Sequence, residues 1–293
     1  MATVHARSAL FDVYGDHLRH RGDSAPVAAL VRLLAPLDIA APAVRTAVSR
    51  MVRQGWLRPA PTSTGPGYAL TPRAVRRVDD ALARVYRTTR ATSWDGTWHL
   101  LVLPRPTARP TRERVHAGLG FLGFAPLADS TWIGPRATDE VDVLLATEGV
   151  PAKRFTATHD GDCLGLVRNA WDLDGLGLAY RRWLSEATEL VDGLDDETCR
   201  DGRYDEQAFA VRSRLLHEWR KFLFTDPGLP SALLPPGWPG TRAAAFFDEW
   251  ATRLAPAAAR FVDSVLAGSV PRRRTRTLVP PAPVPPAPEG NGA

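Results

Sequence analysis

The sequence predicts an α+β protein. It reads as an N-terminal winged helix-turn-helix, a middle α/β sandwich, a helical C-terminal domain and a disordered Pro-rich tail. Three observations carry this. Residues 1–90 run helix, helix, turn, helix and then a short hairpin, and they hold 14 arginines against six aspartates. Residues 91–172 alternate strand and helix, and residues 173–270 turn to long amphipathic helices. Residues 271–293 contain seven prolines and no aromatic residue, which fits a disordered tail.

At 293 residues, 44% hydrophobic and 24% charged, the chain is ordinary globular material with room for two or three cores. No apolar run approaches the ~20 residues that cross a bilayer, and the N-terminus lacks a signal-peptide core. Only Cys163 and Cys199 occur, in no paired motif, which argues against a disulfide scaffold or zinc ribbon. A cytoplasmic protein without membrane contact is expected. The net charge of +5 hides an asymmetry: a surplus of eight positive charges lies in residues 1–90, on an otherwise acidic body. That distribution suits one module that faces a polyanion.

Each element has a local reason. In Ala6–Leu18, the residues Leu10, Phe11, Val13, Tyr14 and Leu18 share a face. Asp23-Ser24-Ala25-Pro26 reads as a helix start, and Val27, Leu30, Val31 and Leu34 make its apolar stripe. Pro36 ends that helix and Ala35–Ile39 is a turn. The third helix spans roughly 41–54 and stops at Gly55. Trp56–Arg58 and Tyr68–Leu70 read as hairpin strands joined by the Gly/Pro/Ser/Thr-rich loop 59–67. Thr71-Pro72 starts a linker helix ending near Arg90. Further on, Thr97–Leu103 is a strand, Arg112–Leu122 a helix, and Ser130–Ile133, Val141–Ala146 and Arg154–Thr158 are strands. Helices follow at about 174–192, 205–224 and 241–267.

The third helix is the most informative segment. At ~100° per residue, Val44, Ala47, Val48, Met51 and Val52 share one face, and Arg45, Thr46, Ser49, Arg50 and Arg53 share the other. Arginine grips phosphate or guanine edges, and Ser and Thr are short enough to let a helix approach a groove. Arg45 and Arg50 are expected on bases or phosphates, Thr46 and Ser49 on base edges or backbone, and Arg53 with Arg58 on phosphates. The small-residue hairpin loop that follows suits a wing on double-stranded DNA.

These residues resemble the PaaX family, the phenylacetic-acid-degradation repressors. The resemblance is most specific at Val44–Val52 with Gly55-Trp56-Leu57. It continues at Trp94-Asp95-Gly96-Thr97-Trp98, at Arg220, at Asp226–Pro230 and at Leu233–Gly240. Asp38 departs from the glycine expected in the turn, although Asp tolerates unusual backbone angles. The resemblance implies a homodimeric transcriptional repressor with a ferredoxin-like middle domain. It further implies release from the operator when an acyl-CoA effector such as phenylacetyl-CoA binds. An acyl-CoA needs an apolar slot and cations, and Trp219, Arg220 and Trp238 are the candidates because aromatic and cation lie close together there.

The same middle domain is similar to small CRISPR nucleases, which hold a metal through a carboxylate near the end of the first strand. Here that strand ends Leu103-Pro104-Arg105, so neither catalysis nor a metal or other cofactor is expected. His17 and His20 with Asp16 read as a helix-end cluster rather than a metal site. His217-Glu218-Trp219-Arg220 lacks the second histidine of a zinc-protease motif.

Overall fold

A computed structural model describes residues 4–19, 21–62, 65–85, 93–104, 108–194 and 202–268. The tail at 271–293, the end of the linker helix near Arg90, and His20, Arg105 and Cys199 lie outside the described residues.

The first helix, α1 (Ala6–Asp12), runs without a break into a π-helical segment, Val13–Leu18. A single α-helix was expected there. The wider turn brings Val13, Tyr14, His17 and Leu18 into the interior together. Ser24 and Ala25 do not begin a helix. They form a short strand, β1 (Ser24–Ala25), paired with Ala69 and Tyr68. Pro26 holds the preceding residue extended, and α2 (Val27–Leu34) starts after it with no side-chain cap. A 3-10 turn, Ala35–Leu37, and Asp38 in the left-handed region (φ 62°) lead into α3 (Ala41–Arg53).

The hairpin is longer than its sequence suggests. β2 (Leu57–Thr62) and β3 (Gly65–Leu70) pair across all six positions, absorbing most of the expected loop. The sheet order β1-β3-β2 puts β2 at an edge. Alternate N–H groups on an edge strand have no ladder partner, so Pro59 and Pro61, two residues apart, are tolerated. Gly67 is required because a Cβ there would lie 2.6 Å from the Ala25 carbonyl oxygen. The helix α4 (Pro72–Val85) follows, with Thr71 Oγ1 accepting from the Ala74 N–H at 3.3 Å.

The middle region is a βαββαβ sandwich. β4 (Trp98–Val102), α5 (Arg109–Phe121), β5 (Ala125–Ala128), β6 (Thr131–Gly134), α6 (Glu140–Glu148) and β7 (Lys153–Ala157) give an antiparallel sheet ordered β5-β6-β4-β7. The strand expected at Val141–Ala146 lies in the helix α6. Val141 and Leu145, four apart, bury beside Val115 and Leu119, and Gly149 (φ 65°) ends the helix. The strand β5 went unforeseen. The opposite sheet face, Trp98 and Ile133, packs on Trp171, Leu173, Leu229 and Leu233.

The remainder is helical: α7 (Cys163–Ala170), α8 (Leu173–Asp192), α9 (Arg203–Trp219), α10 (Phe222–Thr225) and α11 (Pro239–Ala267). The expected helix 205–224 is thus two pieces, broken at Arg220-Lys221. α8, α9 and α11 enclose Tyr180, Trp183, Leu215, Trp219 and Phe247. The other side of α9 and α11 joins the N-terminal region. Phe209, Ala210, Ala258, Val262 and Val265 share one core with Leu10, Val13, Tyr14 and Leu18.

Candidate nucleic-acid interface

The helix α3 divides cleanly into two faces. Val44, Ala47, Val48 and Met51 are buried against the head's core, and Val52 is half-buried. Arg45, Thr46, Ser49, Arg50 and Arg53 are all exposed, and Arg58 projects from the neighbouring strand β2, also exposed. The structure therefore gathers five of the six expected DNA-contacting residues on one helix face and sets the sixth on the adjoining edge strand. Among the described residues, no ion pair engages Arg45, Arg50, Arg53 or Arg58.

The head's acids whose side chains are described are turned elsewhere. Asp12 contacts Arg220 and lies 2.8 Å from His217 Nδ1. Asp16 contacts Arg212 and lies 3.2 Å from His17 Nε2. Asp38 accepts from Arg214 at 2.7 Å. Asp23 and Asp79 share Arg19, each at 2.9 Å. Three carboxylates thus meet the basic side of α9 and its end, and two more are neutralised within the head. Among the described residues, the α3 face keeps its positive charge unopposed, the condition for attracting a polyanion.

Burial shapes the ionisation of this seam. It drives the His17 pKa from 6.5 down to about 3, with Arg21 adding to the shift, so the imidazole is neutral. It lowers Arg212 to about 10, still protonated at neutral pH, and lowers Arg220 and His217 as well. Tyr14, whose pKa is raised by burial, donates to the Tyr68 carbonyl at 2.7 Å and ties the first helix to β3. His17 therefore belongs to the interior and not to a surface helix-end cluster.

The three expected effector residues are not brought together on an open surface. Trp219 is fully buried, stacked on Phe247 at 4.9 Å and edge-on to Trp183. Arg220 turns away from it to Asp12. Trp238 is half-buried against Tyr180, whose hydroxyl donates to the half-buried Asp226. The closeness of aromatic and cation in sequence reflects a core residue followed by an inter-region ion pair.

A cavity of ≈ 340 Å³ lies instead in the middle region, between α5 and β5. Leu103, Val115 and Trp132 form its apolar wall, and Arg112, His116 and Asp129 its polar lining. Arg112 and His116 are one helical turn apart, and the His116 ring stands edge-on to Trp132 at 4.7 Å. Sequence reasoning missed this site because one wall is the unforeseen strand β5. The spacing of Arg112 and His116 on one helix face was the only local signal.

Comparison with known proteins places these features in context. The model for PaaX-like proteins matches residues 5–74, that for the PaaX central Cas2-like domain residues 91–163, and that for the PaaX-like C-terminal domain residues 171–264. The transcriptional repressor PaaX of Escherichia coli (strain K12) is 30% identical over 267 residues, spanning 88% of this chain and 83% of its own. The solved structure of an uncharacterized protein from Mycobacterium tuberculosis is 27% identical with a TM-score of 0.62. It covers 89% of this chain and 98% of that one.

Proposed function

The chain belongs to the PaaX-like family, and from that premise we propose that it is a DNA-binding transcriptional repressor of a phenylacetate-type catabolic operon. In this reading α1 to α4 form a winged helix-turn-helix, α3 is the recognition helix and the β2–β3 hairpin is the wing. The observation that carries it is the exposed α3 face of Arg45, Thr46, Ser49, Arg50 and Arg53, free of acidic partners among the described residues. We divide the chain at 90/91, 172/173 and 270/271. The protein acts as a homodimer, so two recognition helices meet an inverted repeat with half-sites about one helical turn apart, ~34–36 Å.

The effector in this proposal is an acyl-CoA of the phenylacetyl-CoA type. The middle-region cavity, with Trp132 for an apolar acyl group, Arg112 as a cation and the His116 ring as a further polar group, supports it better than the buried Trp219. Thermal-shift titration with phenylacetyl-CoA tests this, since a ligand that prefers the native state raises Tm. The strand β4, Trp98-His99-Leu100-Leu101-Val102, carries no carboxylate. That favours regulation over nuclease chemistry in the Cas2-like region.

The central experiment is selection of duplexes from a random pool, then fluorescence anisotropy with Arg50→Ala. If Arg50 grips a base through both guanidinium nitrogens, its truncation should weaken specific binding by about 1–3 kcal/mol. Unchanged affinity would remove Arg50 from the interface, and failure to enrich any sequence at low salt would remove the repressor reading.

A further inference from the structure

The helix α9 belongs to the C-terminal bundle by its Leu215, Leu216 and Trp219 side, which lies in the aromatic core with Trp183 and Phe247. Its Phe209 and Ala210 side lies in the core of the N-terminal head. Between these faces, Arg214 reaches the turn that joins α2 to α3. Its Nη2 donates to Asp38 Oδ2 at 2.7 Å and to the Pro36 carbonyl at 3.3 Å. The turn is short and conformationally demanding. Leu37 and Ile39 are buried on either side of Asp38, and Asp38 itself adopts φ 62°. Only two residues separate Asp38 from the start of α3. The same helix also holds the first helix of the head, through Arg212 on Asp16 and His217 on Asp12.

We propose that Arg214 is a positioning residue for the recognition helix: by fixing Asp38 and Pro36 it sets the angle of α3, so the placement of α9 in the C-terminal bundle is transmitted to the DNA-reading face. The inference rests on the proposed DNA-binding function and adds how that face is held. Global stability is not what the contact supplies. The Asp38 carboxylate is 89% exposed, and exposed ion pairs contribute little to unfolding free energy. A base-reading helix, in contrast, must be held to within ~0.5 Å of its productive position. A contact worth little to folding can therefore matter to sequence reading.

The test compares wild type, Arg214→Ala, Arg214→Lys and Asp38→Gly in the full chain. Glycine accepts φ 62° without strain but removes the carboxylate, so Asp38→Gly takes away the shorter of the two Arg214 contacts, leaving the one to the Pro36 carbonyl, without distorting the turn. The probe is the duplex that wild type enriches from a random pool, with a scrambled duplex as control. Arg214→Ala should bind the enriched duplex roughly tenfold more weakly, within the usual range of coupling between sites. Binding to the scrambled duplex, set by phosphate contacts, should change by less than about twofold. Asp38→Gly should weaken binding by a similar factor, Arg214→Ala should add little in that background, and Arg214→Lys should recover most of the affinity. An unchanged ratio of specific to scrambled binding in Arg214→Ala overturns the proposal, as does an undiminished further weakening in the Asp38→Gly background. If Arg214→Ala does not fold, Asp38→Gly alone decides by the same ratio. Amide exchange across residues 36–48 is read in parallel and should quicken in Arg214→Ala. If wild type enriches no duplex, the DNA-binding reading fails, and the exchange result still shows whether Arg214 fixes the turn.

Discussion

His17 sits on the π-helical segment with its ring against Phe209, centroids 4.9 Å apart, and its Nε2 3.2 Å from Asp16. Burial lowers its pKa to about 3, and Arg21 adds to the shift. The folded protein keeps this imidazole neutral, while the unfolded chain takes up a proton near its ordinary pKa of about 6.5. Because the folded-state value is the lower one, protons bind the unfolded state more strongly. The stabilisation is complete above the unfolded pKa and declines as pH falls toward the folded one. Each pH unit in that window removes up to about 1.4 kcal/mol. His217, also lowered by burial, acts in the same direction. His17→Gln keeps a polar side chain of similar reach and cannot titrate. Urea unfolding between about pH 7.5 and 5 should therefore give a flatter stability curve for His17→Gln than for wild type, by up to that slope. Parallel curves would show that His17 titrates normally. In the sequence, His17 is only a histidine beside an aspartate. Its burial depends on Phe209, nearly two hundred residues away, which no local pattern reveals.

Elements set by short-range periodicity were legible, and elements set by distant partners were not. The helix α3 announces itself because Val44, Ala47, Val48 and Met51 recur at helical spacing, and its opposite face follows from the same geometry. The exposure of Arg45, Arg50 and Arg53 was therefore readable from sequence alone. In the helix α6, the run Val141-Asp142-Val143 alternates like a strand, and only the packing of Val141 and Leu145 under the sheet makes it a helix. The two-residue strand β1 exists because β3 offers it an edge. The burial of Trp219 was the least legible feature, since a tryptophan that fills a core and one that lines a slot look alike in sequence. The β1–β3 pairing carries its own prediction. A methyl group on Gly67 would meet the Ala25 carbonyl oxygen at 2.6 Å and Thr62 Cγ2 at 2.5 Å. Backbone cannot rotate aside as a side chain can, so Gly67→Ala should destabilise the protein by about 1–3 kcal/mol. Chemical denaturation measures this, and a shift below about 0.5 kcal/mol would mean that β1 simply detaches.

At the scale of the molecule, the basic head is not a module hung on a linker. Its core is continuous with α9 and α11, where Phe209, at 0% exposure, touches both His17 and Phe261. The head's Asp12 and Asp16 complement Arg220 and Arg212 across the same seam. Breaking one partner of such a buried pair leaves a charge uncompensated, which resists separation of the two parts. An apolar core that crosses the seam joins their unfolding into one cooperative event. Phe209→Ala should accordingly cost about 3–5 kcal/mol, the usual penalty for emptying a buried aromatic site. The destabilisation should appear in amide exchange of α2 and α3 as much as in that of α8, although the substitution lies in neither. If α2 and α3 instead open at their own lower free energy in wild type, and Phe209→Ala leaves that value unchanged, the head folds independently. Any signal from the C-terminal bundle to α3 would then have to cross a flexible joint rather than a shared core.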